Sequence, residues 1–98
     1  MEVRFEDDEL ERLAADASFD GGKPRAIVKG FRKLIQLILS AKDERHFYGF
    51  RGVNFEKLKG ARAGECSMRI NDQYRLILTF DEGKNGKVAV VKAIEDYH

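Results

Sequence analysis

Apolar residues follow a helical period over the first half of the chain and a strand period over the second. Residues 3–5 suit a short strand. Asp7-Asp8-Glu9 then supplies a capping residue and early acidic side chains for a helix with Leu10, Leu13 and Ala14 on one side. Asp20-Gly21-Gly22 is expected to end that helix. Pro24 is well placed near the start of a second helix, because its fixed φ suits a first turn. There Ile27, Phe31, Leu34, Ile35 and Ile38 recur at i, i+4, i+7, i+8 and i+11, the spacing of a core-facing stripe. Lys29, Arg32 and Lys33 fall on the other face, open to solvent or to RNA.

From residue 53 the period becomes two. Residues 55–58 read as a short strand; Cys66, Met68 and Ile70 alternate with Ser67, Arg69 and Asn71; Tyr74, Leu76, Leu78 and Phe80 alternate with Arg75, Ile77 and Thr79. Asn71-Asp72-Gln73 is a turn candidate. As a three-residue hairpin loop it sets Ile70 opposite Tyr74 and Arg69 opposite Arg75. Like charges directly across a ladder are destabilising, so such a pair suggests that something negative is held there. Residues 81–86 are expected to form a loop with an Asn-Gly step, and 88–94, apolar apart from Lys92, suits a central strand. The expected class is α+β: a helical hairpin on one face of a mostly antiparallel sheet of four or five strands. The second face is left to solvent or a ligand.

At 98 residues the chain accommodates one domain, spanning 1–98. No apolar run approaches the roughly 20 residues that cross a bilayer, and the acidic N-terminus lacks the basic start of a signal peptide, which together imply a cytoplasmic protein without a membrane partner. Cys66 is the single cysteine, so no internal disulfide can form. With only His46 and His98 beside it, a structural metal site is not expected, nor is any cofactor. Cys66 itself alternates with core positions and reads as a buried thiol; Phe47, Tyr48 and Phe50 read as core beneath a loop.

The net charge of +1 conceals an asymmetry. Residues 1–20 hold eight acidic and two basic side chains, and residues 21–98 hold nine acidic and sixteen basic ones. Two opposite fields in one small molecule fit a polyanion site apart from an acidic segment. Cleaving RNA with side chains alone requires an acceptor for the 2′-hydroxyl proton, cations for the charge on the phosphorane, and a donor for the 5′ leaving oxygen. Asp96 and Glu56 are candidate bases. His98 can give or take a proton near neutral pH, and Lys59, Arg62, Arg69 and Arg75 are candidate phosphate contacts. Asp96-Tyr97-His98 reads either as a frayed polar tail or as a functional terminus; the expected strand over 88–94 favours the second, since its end would be held and would deliver these side chains to a definite place.

The run Leu58-Lys59-Gly60-Ala61-Arg62-Ala63-Gly64-Glu65-Cys66-Ser67-Met68-Arg69-Ile70-Asn71-Asp72-Gln73-Tyr74-Arg75, with the closing Glu95-Asp96-Tyr97-His98, resembles the HigB-like plasmid-maintenance killer proteins of the RelE superfamily. The resemblance rests on an L-K-G-x-R-x-G step, an S-x-R-I-N-D-Q-[YW]-R block and a final D-Y-H in that order. It implies a toxin of a type II toxin–antitoxin pair that cleaves mRNA on the ribosome and is silenced by an antitoxin, usually a helix-turn-helix DNA-binding protein. By the same resemblance Asp96, Tyr97, His98, Lys59 and Arg75 match active-site positions, and Gln73 lies in the block that contacts nucleic acid. Glu56 stands where some members carry His and others a carboxylate. Ala61, Ala63 and Cys66 depart from residues common in the family, which bears on phosphate or ribosome contacts more than on the chemistry. The alternative from another class is a noncatalytic module on the same fold acting by protein binding, as ParE relatives do; the Asp-Tyr-His tail argues against it.

Overall fold

A computed structural model describes residues 1–96. The order is β1 (Glu2–Phe5), α1 (Asp8–Ala15), α2 (Arg25–Ser40), 3₁₀ turns at Glu44–Gly49 and Arg51–Val53, β2 (Glu56–Lys57), a third 3₁₀ turn at Gly60–Arg62, β3 (Cys66–Arg69), β4 (Tyr74–Gly83) and β5 (Gly86–Asp96). The strands form one sheet in the order β1-β5-β4-β3-β2, with β1 parallel to β5 and every other pair antiparallel. This is the α+β class expected. No helix among the described residues is long and apolar enough to cross a membrane.

Asp7 caps α1 by accepting from the backbone amides of Glu9 and Leu10 at 2.8 and 3.1 Å. The helix stops at Ala15, earlier than the Asp20-Gly21-Gly22 step suggests. Asp16 ends it: its carboxylate accepts from the Ser18 amide at 3.0 Å and hydroxyl at 2.6 Å, a local turn that competes with further helix. Arg32 on α2 completes this end, donating through Nε to the Leu13 carbonyl at 3.0 Å and through Nη2 to those of Asp16 and Phe19 at 3.0 and 2.8 Å. One guanidinium thus satisfies carbonyls that a short helix leaves over.

The stripe of α2 packs as its spacing requires, with Ile27, Val28, Phe31, Leu34, Ile35 and Ile38 buried. Phe31, Leu34, Ile35 and Ile38 meet Leu10 and Leu13 of α1, Phe47, and Met68, Leu76, Leu78 and Val91 of the sheet in one core. Gly30 lets α2 approach the hairpin closely; a Cβ there would lie 2.8 Å from Ile70 Cγ2 and 3.1 Å from the Ile70 carbonyl oxygen.

β5 is central, as the apolar run 88–94 implies. Ile77 pairs with Ala93 and Leu78 with Val91, so Lys92 is an extra residue at a bulge. The loop expected over 81–86 is instead a tight hairpin, with Gly83 paired to Gly86 and only Lys84 and Asn85 between them. Gly86 makes this possible at φ +118, a conformation that side chains resist. The second sheet face is not simply open either. Ser67, Arg75 and Ile77 are buried there, and Arg75 reaches the Asn54 carbonyl in the segment that leads into β2.

Candidate active site

Strand register decides which polar side chains share a face. Glu56 pairs with Ser67 and Ser67 with Ile77; in the next row Arg69 pairs with Arg75 and Arg75 with Glu95. Directly opposed residues project to the same side of a sheet, so Glu56, Ser67, Arg69, Arg75 and Glu95 occupy one face, away from the helices. The opposition of Arg69 and Arg75 is the one that the three-residue turn implies. Asn71 builds that turn by accepting from the amides of Gln73 and Tyr74 at 2.9 and 2.8 Å.

Arg75 is buried, at 6% exposure, an unusual position for a guanidinium. Its Nε donates to the Ser67 hydroxyl at 3.0 Å and its Nη2 to the Asn54 carbonyl. Asn54 turns in the left-handed region at φ 44, which aims that carbonyl inward. Arg69 stands opposite, half-buried, bonded to the Asn71 carbonyl at 3.3 Å and paired with Asp72. Two arginines of one sheet face are therefore each held by neighbouring oxygens that orient their donors.

Arg62 has a different position from a free phosphate contact. Its Nη1 and Nη2 grip both oxygens of Glu95 at 2.7 and 2.8 Å, and its Nε donates to Glu65 at 2.7 Å. The bidentate pair clamps the 60–65 segment onto β5 one residue before Asp96. The Arg62 guanidinium holds the Glu95 carboxyl below the usual carboxylate range through those hydrogen bonds. Lys59 is exposed at the start of the Gly60–Arg62 turn and makes no ion pair among the described residues. Asp96, the partner of Tyr74 across β4 and β5, accepts from Gln73 Nε2 at 3.3 Å. Tyr97 and His98 lie outside the described residues.

The basic stripe of α2 divides. Arg32, expected as an RNA contact, is half-buried with its Nε and Nη2 donating to carbonyls at the end of α1, so in this fold it acts as a cap. Lys33 lines a cavity with Arg51 and Arg69, and Lys29 is exposed outside it. Cys66 is core, and burial pushes its thiol up. Of the aromatic cluster only Phe47 is core; Tyr48 and Phe50 are exposed, contrary to expectation. Ser67, Asn54 and Glu95 were not singled out from the sequence. A serine at a β position flanked by Cys66 and Met68 was the available signal for the first.

Residues 3–98 match the family model described as the RelE-like toxin of the type II toxin–antitoxin system HigB. The chain belongs to this family. Toxin HigB-1 of Vibrio cholerae is 31% identical over 83 residues, 85% of this chain and 87% of that protein. Among solved structures, a YoeB/ParE toxin from Agrobacterium tumefaciens has a TM-score of 0.62 at 20% identity, covering all of both chains. A YoeB-YefM complex from Staphylococcus aureus has a TM-score of 0.59 at 23% identity, covering 100% of this chain and 97% of that one. The HigB-like chain therefore has the fold of these toxins, and it is a toxin of a type II toxin–antitoxin system.

Proposed function

We propose that this HigB-like toxin is an endoribonuclease that cleaves mRNA during translation. The observation that carries the reading is the opposition of Arg69 and buried Arg75 on a sheet face shared with the exposed carboxylate of Glu56. A pair of oriented guanidiniums stabilises the charge that gathers on the phosphorane when the 2′-hydroxyl attacks phosphorus. Lys59, exposed at the start of the Gly60–Arg62 turn, adds a further cation. Glu56 is the better-placed acceptor for the 2′-hydroxyl proton, since register sets it on the Arg75 side, whereas Asp96 pairs with Tyr74 and anchors the end of β5. His98 donates to the departing 5′ oxygen and Tyr97 orients the nucleotide. The P–O5′ bond breaks, leaving a 2′,3′-cyclic phosphate and a 5′-hydroxyl.

The partner in this reading is a protein antitoxin with a helix-turn-helix DNA-binding domain. The test is primer extension on mRNA incubated with the purified toxin, either bound to programmed ribosomes or free. Cleavage within ribosome-bound codons, and little on free mRNA, is expected. Intact mRNA in both arms from a preparation that still binds its antitoxin overturns the reading.

A further inference from the structure

A cavity of about 350 Å³ opens between α2, the Arg51–Val53 turn and the end of β3. β2 is only two residues long and pairs with Cys66 and Ser67 alone, so Met68 and Arg69 have no strand partner on that side of β3 and the Arg51–Val53 turn packs against β3 instead. The floor is apolar, with Leu37 and Ile70 among its residues, and Lys33, Arg51 and Arg69 stand around it. No carboxylate lines it, although the chain carries 17. Lys33 and Arg51 are exposed and make no hydrogen bond or ion pair among the described residues. Phe50, on the same wall, is 43% exposed, and its ring rests against that of His46 at 5.2 Å.

The cavity is continuous with the candidate active face. Arg69 belongs to both, lining the cavity and opposing Arg75, and Asn54, whose carbonyl receives the Arg75 guanidinium, directly follows the Arg51–Val53 turn. A polyanion leaving that face past the end of β3 meets Lys33 and Arg51, which make no ion pair among the described residues, and a partly exposed aromatic ring. Cations around an apolar, aromatic-walled hollow match the chemistry of a single-stranded nucleotide, whose phosphates and base need opposite surroundings.

We propose that this cavity is the subsite for a nucleotide flanking the scissile phosphate, with its base on Phe50 and its phosphates on Arg51 and Lys33. The inference rests on the nuclease reading and extends it to how the strand is held. An acidic peptide is the competing occupant, but its carboxylates would answer only the cations and leave the exposed part of the Phe50 ring uncovered.

The probe is a short fluorescent single-stranded RNA, 2′-O-methylated throughout so that it cannot be cleaved, titrated by anisotropy at several salt concentrations. Phe50→Ala should weaken binding about 5- to 100-fold with the salt slope unchanged, as for loss of one stacked base. The Lys33→Ala/Arg51→Ala double variant should weaken it and lower the slope of log K against log salt by about 1.4, two phosphate contacts on a single strand. Thermal unfolding confirms that each variant is folded. Absent binding by the unaltered toxin, or equal affinities and slopes for all proteins, overturns the inference. So does loss of antitoxin binding with RNA affinity intact, which would assign the cavity to a protein segment. RNA binding that depends on these residues, without cleavage of any mRNA, would remove the nuclease reading and keep the subsite.

Discussion

Arg75 donates through Nε to the hydroxyl of Ser67 at 3.0 Å, and both side chains are buried on the sheet face away from the helices. Ser67 is thereby a positioning residue: it fixes one edge of the guanidinium while the Asn54 carbonyl fixes another. Ser67→Ala should destabilise the protein by about 1–3 kcal/mol, the cost of a buried donor left without its partner. It should also slow cleavage by up to about a hundredfold through misplacement of Arg75. In an Arg75→Ala background the same substitution should change the rate little, because the two side chains act as a unit. Additive rate losses in this double-mutant cycle would show that Ser67 does not act through Arg75.

Arg32 and Lys29 lie on the same helix, and both were candidate RNA contacts. Arg32→Ala removes the side-chain donor from the carbonyls of Leu13, Asp16 and Phe19, of which Asp16 keeps the Phe19 amide, and should cost about 2 kcal/mol or more. Lys29→Ala, at an exposed position, should stay within about 0.5 kcal/mol. Urea titration of both proteins measures this. Equal midpoints would mean that the cap contributes nothing.

Gly30→Ala sets two effects against each other. Helix propensity favours Ala by about 1 kcal/mol, but the new methyl meets Ile70 Cγ2 at 2.8 Å and its carbonyl at 3.1 Å, and overpacking costs about 1–3 kcal/mol. The backbone oxygen cannot rotate away as a side chain can, so overpacking wins. The melting temperature should fall by several degrees, roughly 4–8 °C per kcal/mol for a domain this small. A raised melting temperature would mean that the hairpin shifts freely from α2.

Acid should weaken the fold through carboxylates whose pKa is depressed by folding. Asp43 is lowered from 3.8 to about 2, chiefly by the Arg45 side-chain hydrogen bond; Glu95 is lowered by Arg62, and Asp16 by Ser18. The unfolded chain therefore binds more protons than the native one as pH drops below the ordinary carboxylate values. The stability these groups add is present above those values and is lost as pH falls through the folded ones. Because the groups are largely solvated, the effect of each is small. Glu95→Gln should flatten part of the decline in melting temperature below about pH 4.5 and change nothing in its slope near neutrality. An unchanged acid profile would show that the Arg62 clamp is absent in solution.

Much of the fold was legible because local signals agreed with tertiary ones. The apolar stripe of α2 is buried as spaced, and the Asn71 turn yields the Arg69–Arg75 opposition because alternation on both strands admits one register. The end of α1 was not legible, since the Asp16-Ser18 turn stops the helix before the glycines do. Nor was the β4–β5 hairpin, where Gly83 and Gly86 permit a tighter reversal than the Asn-Gly step suggested. At the site, residue types were visible but their pairing was not. Arg62 looks like a phosphate contact in the sequence, and only folding brings Glu95, 33 residues later, to neutralise it. The capping role of Arg32 was hidden for the same reason, its carbonyl partners lying 13 to 19 residues earlier.

In the proposed reaction Arg75 stabilises a transition state at phosphorus and His98 serves as the acid. Single-turnover cleavage of ribosome-bound mRNA by the unaltered toxin, Arg75→Ala and a His98-deleted chain, each checked for folding and antitoxin binding, tests it most directly. Arg75→Ala should lose about a hundredfold or more, the size expected of a removed oxyanion donor, and the chain without His98 should lose a comparable amount. Equal rates for the three proteins would contradict it.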